Sequence, residues 1–318
     1  MILADYFRSD HDLAWDIAKQ CGVKHGVIRL PERDDFDLTD KSHWKAVYDK
    51  FIDFGVKPII VEPMPNEVHD HIKAGDSKRD ESIEKVIKML PIMKELGMES
   101  ICFNWMAHVG WHRTNDKIEE RGGAFVSEFK LSDFKDSGKK ITAEELWNNY
   151  EYFLKAVIPH AEKNGIKLAL HPDDPPLPRL GDVERIMINK ENIKKAIYDI
   201  VPSDMLGLTM CQATFHILGE DVYKVIEEMK EKIFFVHFRN TTGHIEHYCE
   251  TFHDNGELDM PQLIRTYMKN GIDVPIRVDH VPTLVGENPE MMGYAALGRL
   301  FAIGYMKGII EMEEKNYG

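Results

Sequence analysis

Residues 167–176 read Lys-Leu-Ala-Leu-His-Pro-Asp-Asp-Pro-Pro, a short apolar run that ends at His171 and continues into a proline-rich loop. Three later runs have the same form and also end at a potential metal ligand: 206–211, 233–237 and 275–279. An apolar run of four to six residues is typical of a buried parallel strand. The terminal residues of all four runs are therefore expected at the carboxyl edge of one sheet.

These terminal residues are His171, Cys211, His237 and Asp279. Two imidazoles, a thiolate and a carboxylate suit a borderline divalent transition ion. Each residue alone would more often be a hydrogen-bonded or buried structural residue. Their equivalent places on four consecutive predicted strands favour a shared metal site. From the residues alone, three other carboxylates compete with the last of them for the oxygen ligand: Asp173, Asp174 and Glu250.

The whole chain alternates between strand and helix patterns. Strands are predicted at 2–7, 25–30, 57–63, 100–106, 167–172, 206–212, 233–240 and 275–281. Helical spacing is found at 11–22, 43–54, 81–97, 143–164, 183–199, 220–231, 259–270 and 291–312. A glycine that would end a helix precedes several strands, at Gly22, Gly55, Gly97, Gly165 and Gly271. Eight βα units in about 300 residues predict an α/β chain folded as a (β/α)8 TIM barrel, whose chemistry follows the carboxyl ends of the strands.

The competing fold is a doubly wound open sheet. It is disfavoured because no Gly-x-Gly-x-x-Gly follows the first strand and no composition break divides the chain. We therefore predict a single catalytic domain over residues 1–318. The segment 107–142 is rich in Gly, Asp, Lys and Ser and is predicted to fold over the barrel mouth as a lid.

Composition narrows the function classes. The chain has 318 residues, of which 43% are hydrophobic, and a formal charge of -14, which argues against binding to nucleic acid or anionic lipid. Its four cysteines form no CxxC pair, which indicates a reduced protein. Neither a signal peptide nor an apolar run of roughly 18 residues is present, so we expect no membrane association and a cytoplasmic location.

Five polar or aromatic residues at or near predicted strand ends are candidates for binding a small anionic substrate: Asn104, Trp111, Arg113, Asp173 and Arg239. Taken singly, the tryptophan would more often be core, and each arginine a structural ion pair. The loop that contains the aspartate should be stiff, because Pro172, Pro175 and Pro176 restrict the backbone. A stiff loop suits a preorganised site.

Two candidate proton carriers lie near the carboxyl terminus. His280 directly follows the predicted ligand Asp279, and Tyr294 lies at the start of the last predicted helix. An imidazole can accept or donate a proton near neutral pH, and a tyrosine hydroxyl can protonate a leaving group. The pair suggests an elimination reaction.

At these residues the sequence resembles the mannonate dehydratases, metal-dependent enzymes of hexuronate breakdown with a TIM barrel like that of xylose isomerase. The motifs that carry the resemblance are His171-Pro-Asp-Asp-Pro-Pro176, Phe103-Asn-Trp-Met106, Trp111-His-Arg-Thr114, Val236-His-Phe-Arg239, Asp279-His280 and Gly293-Tyr294. The similarity extends from about residue 68 to the end, whereas the first 65 residues match the family poorly.

The resemblance implies a complete reaction. In that family Mn2+ or Fe2+ is held by residues that correspond to His171, Cys211, His237 and Asp279. His280 would take the proton from the carbon next to the carboxylate, and Tyr294 would protonate the departing hydroxyl. The products would be 2-dehydro-3-deoxy-D-gluconate and water, formed from D-mannonate. A homodimer is also implied.

This chain departs from the family pattern in two places. It has Gly110 and His112 where the family usually has Asp and Thr, and Val281-Pro282 where the family usually has Gly after the Asp-His pair. A related sugar acid is therefore an alternative substrate. A xylose-isomerase-like epimerase or isomerase is a second alternative, although such sites favour carboxylate ligands over Cys211. A non-enzymatic sugar-acid sensor is a third, and the presence of both proton carriers argues against it.

Overall fold

The computed structural model describes residues 1–288 and 292–317, and its centre is a closed barrel of eight parallel strands. The barrel strands are β1 (Ile2–Phe7), β2 (His25–Ile28), β3 (Lys57–Val61), β4 (Ser100–Phe103), β8 (Lys167–Leu170), β11 (Leu206–Cys211), β12 (Ile233–Phe238) and β15 (Pro275–Val278). Around the barrel they follow one another in the order β1-β15-β12-β11-β8-β4-β3-β2. The prediction of a TIM barrel is confirmed.

In the part of the chain that the structure describes, seven further strands lie outside the barrel: β5 (Asn115–Glu120), β6 (Ala124–Lys130), β7 (Lys140–Ile141), β9 (Arg179–Leu180), β10 (Asp182–Glu184), β13 (Thr241–His244) and β14 (His247–Glu250). The helices are α1 (Leu13–Gln20), α2 (Lys41–Phe54), α3 (Asn66–Ala74), α4 (Arg79–Glu95), α5 (Ala143–Asn164), α6 (Lys190–Lys194), α7 (Gln212–Ile217), α8 (Val222–Met229), α9 (Met260–Lys269) and α10 (Ala296–Tyr317). Of the last predicted helix, 291–312, residue 291 lies outside the described residues, and helical structure begins at Ala296.

The predicted helix at 183–199 is wrong in its first part. Asp182 and Val183 pair with β7, and helical structure begins only at Lys190, after Asn189 caps the helix with its side chain. The pairing partner lies about 40 residues earlier in the chain, so local periodicity does not reveal it. Helix α3 was also missed, because it is short and follows closely on two prolines, Pro63 and Pro65.

Burial explains why the barrel strands are mostly apolar. Every residue of β11 and β12 is buried, because one side of each strand faces the barrel interior and the other faces the surrounding helices. In the parallel register Cys211 lies opposite His237, and the backbone N–H of Asp279 donates to the carbonyl of Phe238. The strand ends that carry the predicted ligands are therefore neighbours at one edge.

The predicted lid segment forms part of a second sheet. Strands β5 and β6 from 107–142 join β13 and β14 in an antiparallel sheet of order β13-β14-β6-β5. Residue Phe125 of this sheet also forms an isolated bridge with Thr283, which follows the last barrel strand. The segment is thus paired with the region around the barrel mouth. Whether it moves as a lid stays a prediction.

Within the described residues, none of the helices combines the length and apolar character needed to span a membrane.

Candidate active site

A cavity of about 420 Å³ opens where the barrel strands end at their carboxyl side. Residues from seven of the eight barrel strands, or from the loops that follow them, line it. They include Tyr6, Arg29, Glu62, Asn104, His171, His237 and Asp279. His280 and Tyr294 line it as well. This is the position at which TIM barrels carry their chemistry.

Three of the predicted ligands meet at the wall of this cavity. The donor atoms of His171, Cys211 and His237 lie within 4.8 Å of one another. Asp279 is adjacent and does not complete this close group among the described residues: its Oδ2 lies 3.7 Å from His237 Nδ1, while its Oδ1 accepts a hydrogen bond of 2.9 Å from Arg277. The structure thus brings all four into one region, and three of them form a group that could hold a metal ion.

The charges of the group favour metal binding. Burial opposes ionisation of Cys211, but the neighbouring His171 and His237 and the charge of Arg239 outweigh it and hold the thiol pKa well below its usual value. Burial likewise opposes protonation of His171, but its hydrogen bond to Cys211 and the thiolate charge raise the histidine pKa to about 9. The thiolate is the form that ligates a metal, and an ion would replace the proton that the pair holds.

His237 provides an independent test of whether these residues fit a metal ion. Its side chain is buried, and among the described residues neither ring nitrogen has a hydrogen-bond partner. Nε2 lies 2.9 Å from Glu62 Oε1 but without hydrogen-bond geometry. An unsatisfied buried imidazole is costly, and a metal–nitrogen bond would satisfy it. The residues therefore fit a divalent ion with nitrogen, sulfur and oxygen ligands.

Sequence reasoning missed a second group at the same place. Donor atoms of Glu62, Cys102 and His237 also lie within 4.8 Å of one another. Arg277 contacts both oxygens of Glu62, at 2.9 and 3.0 Å, and this charge outweighs burial to hold the glutamate pKa far below its usual value. Glu62 follows the apolar run 57–61, so the strand-end argument used for the other ligands would have found it.

The two predicted proton carriers lie together. The rings of His280 and Tyr294 are 5.7 Å apart, and Trp111 packs on the histidine at 4.8 Å. Gly293 has φ +83°, and a Cβ at this position would lie 3.3 Å from His280, so glycine lets the backbone pass beside the imidazole. Burial raises the pKa of Tyr294, which keeps its hydroxyl protonated and able to donate.

The five predicted substrate-binding residues divide into two sets. Asn104 and Trp111 line the cavity. Asp173 is fully buried outside the lining and accepts the backbone N–H of Met187. The two arginines, Arg113 and Arg239, are buried and also lie outside the lining. Assignment of these last three to substrate contact stays a prediction, which their placement does not favour.

A buried ionic network holds both arginines. Arg113 donates to Asp174 at 2.8 Å and to Glu250 at 2.5 Å. Arg239 donates to the same two carboxylates, at 2.7 and 2.8 Å. Tyr248 adds a hydrogen bond of 2.6 Å to Asp174. The network thus joins the loop after β8, the end of β12 and strand β14.

Lys73 is a cationic cavity residue that sequence reasoning also missed. It is buried, lines the cavity, and lies 2.9 Å from Asp70 and 3.5 Å from Asn104 Oδ1. Burial lowers the pKa of its ammonium group. It lies on α3, the helix that was not predicted, so no strand-end argument could have placed it here.

The chain is similar to mannonate dehydratases over almost its whole length. The family model described as D-mannonate dehydratase (UxuA) matches residues 5–140 and 130–317. The mannonate dehydratase of Lactococcus lactis subsp. cremoris is 29% identical, over 95% of this chain and 94% of that protein. The crystal structure of mannonate dehydratase from Streptococcus suis serotype 2 superposes with a TM-score of 0.91 at 25% identity, over 100% of this chain and 95% of that one.

A more distant likeness concerns the fold alone. The xylose isomerase domain protein from Planctomyces limnophilus superposes with a TM-score of 0.62 at 11% identity, over 99% of this chain and 98% of that one.

The family match also corrects one expectation. The match begins at residue 5, so most of the first 65 residues also align with the family. They contain none of the motifs that carried the resemblance, but they supply β1, β2 and β3, without which the barrel would not close. The chain belongs to the D-mannonate dehydratase family, whose members are hydro-lyases.

Proposed function

We propose that this protein converts D-mannonate to 2-dehydro-3-deoxy-D-gluconate and water, with Mn2+ or Fe2+ held by His171, Cys211, His237 and Asp279. The observation that supports the proposal is that His171, His237 and Asp279 line one cavity with His280 and Tyr294, while Cys211 lies close to the two ligand histidines. Family membership favours dehydration over the epimerase and sensor alternatives. A divalent ion bound there would stabilise the negative charge that develops on the substrate carboxylate as the adjacent carbon loses its proton.

The residues of the chain then account for both proton transfers. His280 accepts the C2 proton, and the electrons of the C2–H bond form a double bond between C2 and C3. The C3–O bond breaks, and Tyr294 donates the proton with which the hydroxyl leaves as water. The resulting enol becomes the 2-keto acid. Tyr294 suits this role because its raised pKa keeps the proton on its oxygen until the leaving group needs it.

Substrate binding is assigned to the lining of the cavity. Asn104 and Trp111 face the substrate space, and Lys73 and Arg29 supply positive charge beside it. These cations suit an acidic polyol, because its carboxylate and hydroxyl oxygens lose water on binding and need hydrogen-bond donors in its place. We place Arg113 and Arg239 in the support of this wall instead of in contact with substrate.

The direct test is an anaerobic assay of Mn2+-loaded and Fe2+-loaded protein with D-mannonate, in which formation of the 2-keto-3-deoxy acid is followed. We expect product with either ion and none after EDTA treatment. Metal content measured on Cys211→Ala should fall, whereas Cys21→Ala, a matched change at the end of α1, should retain the ion. Unchanged content in Cys211→Ala would remove the ligand assignment.

A related sugar acid is the second candidate substrate. Gly110 lines the cavity at a position where the family usually has Asp, so this position presents no carboxylate to the substrate. If the metal-loaded protein is inactive on D-mannonate, a panel of other aldonates and uronate derivatives should reveal the substrate. The homodimer implied by the family stays a prediction, which light scattering on the purified protein would measure.

A further inference from the structure

The candidate base His280 has a carboxylate behind it. Oε1 of Glu250 lies 3.1 Å from Nδ1 of His280, and both side chains are buried. The other ring nitrogen, Nε2, lies 3.7 Å from Oδ1 of the predicted ligand Asp279, and both residues line the cavity. The imidazole therefore has one nitrogen held by protein and the other near the substrate space.

We propose that Glu250 is a positioning residue, which accepts the Nδ1–H of His280 and thereby fixes the ring in the tautomer whose bare Nε2 faces the substrate. The inference rests on the proposed function in one respect, the use of His280 as the base. It assigns no proton transfer to Glu250 itself. The C2–H bond of the substrate breaks, the Nε2–H bond forms, and the Nδ1 proton stays on the ring.

The ionic network explains how Glu250 can serve as a fixed acceptor. Arg239 donates to both of its oxygens, at 2.8 and 2.6 Å, and Arg113 donates to Oε1. Burial opposes ionisation, but these arginines and His280 outweigh it and lower the glutamate pKa to about 2. A carboxylate in this state only accepts hydrogen bonds, so it selects the tautomer with hydrogen on Nδ1.

The backbone around Glu250 is also constrained, in this case by strand pairing. The residue ends β14, where it pairs with Thr241 of β13, and the preceding Cys249 pairs with Glu128 of β6. Three strands of one antiparallel sheet thus hold the carboxylate in place, whereas the histidine follows a barrel strand. The contact between Glu250 and His280 joins the inserted sheet, which is the antiparallel sheet β13-β14-β6-β5, to the barrel at the proposed base. The sheet would then help to orient the base.

The chemical benefit is orientation and charge. A neutral imidazole free to rotate or change tautomer would present its lone pair to the substrate only part of the time. The fixed carboxylate also stabilises the positive charge that the ring acquires when Nε2 takes the proton. Both effects act on the transition state more than on bound substrate, so they should appear in kcat and not in KM.

The first test compares Glu250→Gln with Glu128→Gln in the metal-loaded protein. Glu128 is a matched control, because it contacts the exposed His247 on the same sheet at 2.8 Å, whereas Glu250 contacts the cavity residue His280. We expect kcat of Glu250→Gln to fall about 10- to 100-fold, as is usual for a residue that orients a functional histidine, with KM and metal content unchanged. Glu128→Gln should match the wild type. A kcat within twofold of wild type in Glu250→Gln, or a loss of the same size in both variants, would overturn the proposal.

The second test does not depend on folding of the Glu250 variant. Wild-type protein labelled with 15N-histidine and loaded with diamagnetic Zn2+ should show the His280 signal, identified by its absence in His280→Asn, with hydrogen on Nδ1. Hydrogen on Nε2 with Nδ1 bare would contradict the proposal. Failure of the wild type to dehydrate D-mannonate would refute the proposed function instead, and the tautomer measurement would still decide the role of Glu250.

Discussion

Among the individual residues of the site, Arg277 holds two carboxylates of the cavity at once. Its guanidinium donates to both oxygens of Glu62, at 2.9 and 3.0 Å, and to Asp279 at 2.9 Å. Arginine suits this task because its planar fork of donors matches carboxylate geometry and keeps its charge when buried. This arginine of a barrel strand is thus engaged in orienting cavity carboxylates.

The proposed role of Tyr294, donation of a proton to the leaving hydroxyl, can be tested by substitution. Tyr294→Phe removes only the hydroxyl, so we expect kcat to fall by about 10²- to 10⁴-fold while the ion stays bound. Steady-state kinetics and elemental analysis measure the two quantities. Tyr305→Phe is a suitable control on α10, because this ring stacks on Phe301 away from the cavity. Near-normal turnover in Tyr294→Phe would remove its assigned role.

The ionisation of Glu250 should make the free energy of unfolding depend on pH. Its pKa is about 2 in the folded protein and 4.5 without the fold, so its ionised form stabilises the folded state. This contribution, about 3 kcal/mol, is present above pH 4.5 and is lost as the pH falls towards 2. Urea unfolding between pH 5 and 3 should therefore show a shallower decline in Glu250→Gln than in the wild type. Parallel curves would show that this carboxylate is not the one that titrates.

Among the strands and helices, all eight barrel strands begin at the residue predicted from the sequence. Most end one to three residues earlier than predicted. The hairpin β13–β14 was not predicted, since its pairing partner β6 lies more than 100 residues earlier in the chain. Its consequence is functional, because the hairpin carries Glu250.

Two glycine substitutions, one at a helix end and one in a helix interior, test how backbone conformation affects stability. Gly165 caps α5 with φ +68°, and no other atom would contact an added Cβ there within the described part of the chain. Gly165→Ala should destabilise by about 1 to 2 kcal/mol, through backbone strain alone. Gly304→Ala, in the interior of α10 with equal space, should stabilise by about 0.5 to 1 kcal/mol. Denaturant unfolding measures both, and a shift of the same sign in the two variants would contradict this explanation.

For the molecule as a whole, an ion in the site would join separate parts of the barrel. The proposed ligands come from β11 and β12 and from the residues that follow β8 and β15. The family resemblance supplied the identity of the ion, whereas the meeting of its ligands is a property of the closed barrel. Bound metal should therefore act on the stability of the entire domain.

Metal removal tests this coupling. Because an ion that binds only the folded state stabilises it by mass action, Mn2+ at about 100 times its Kd should add about 2.7 kcal/mol. The melting temperature of the loaded protein should fall by several degrees on addition of EDTA. Cys211→Ala should melt at the same temperature with and without the ion. A metal-dependent shift that persists in this variant would place the stabilising ion elsewhere.

Local patterns in the sequence were enough to predict the barrel and much of its site. Apolar runs that alternate with helical spacing predict parallel strands, and a ligand at the end of each run predicts one shared edge. Because these signals lie within a few residues of one another, His171 and His280 could be identified from their positions in the chain alone. Glu62 could have been identified by the same argument.

The division of charged residues between those that reach the cavity and those that support it depends on tertiary contacts. Arg113 and Arg239 resemble substrate anchors in the sequence, but folding places each between Asp174 and Glu250. Lys73 reaches the cavity from a helix that no strand pattern predicts. The physical reason is that ion pairing inside a protein depends on which distant segments meet. That meeting is set by the closure of the barrel and the pairing of the inserted sheet.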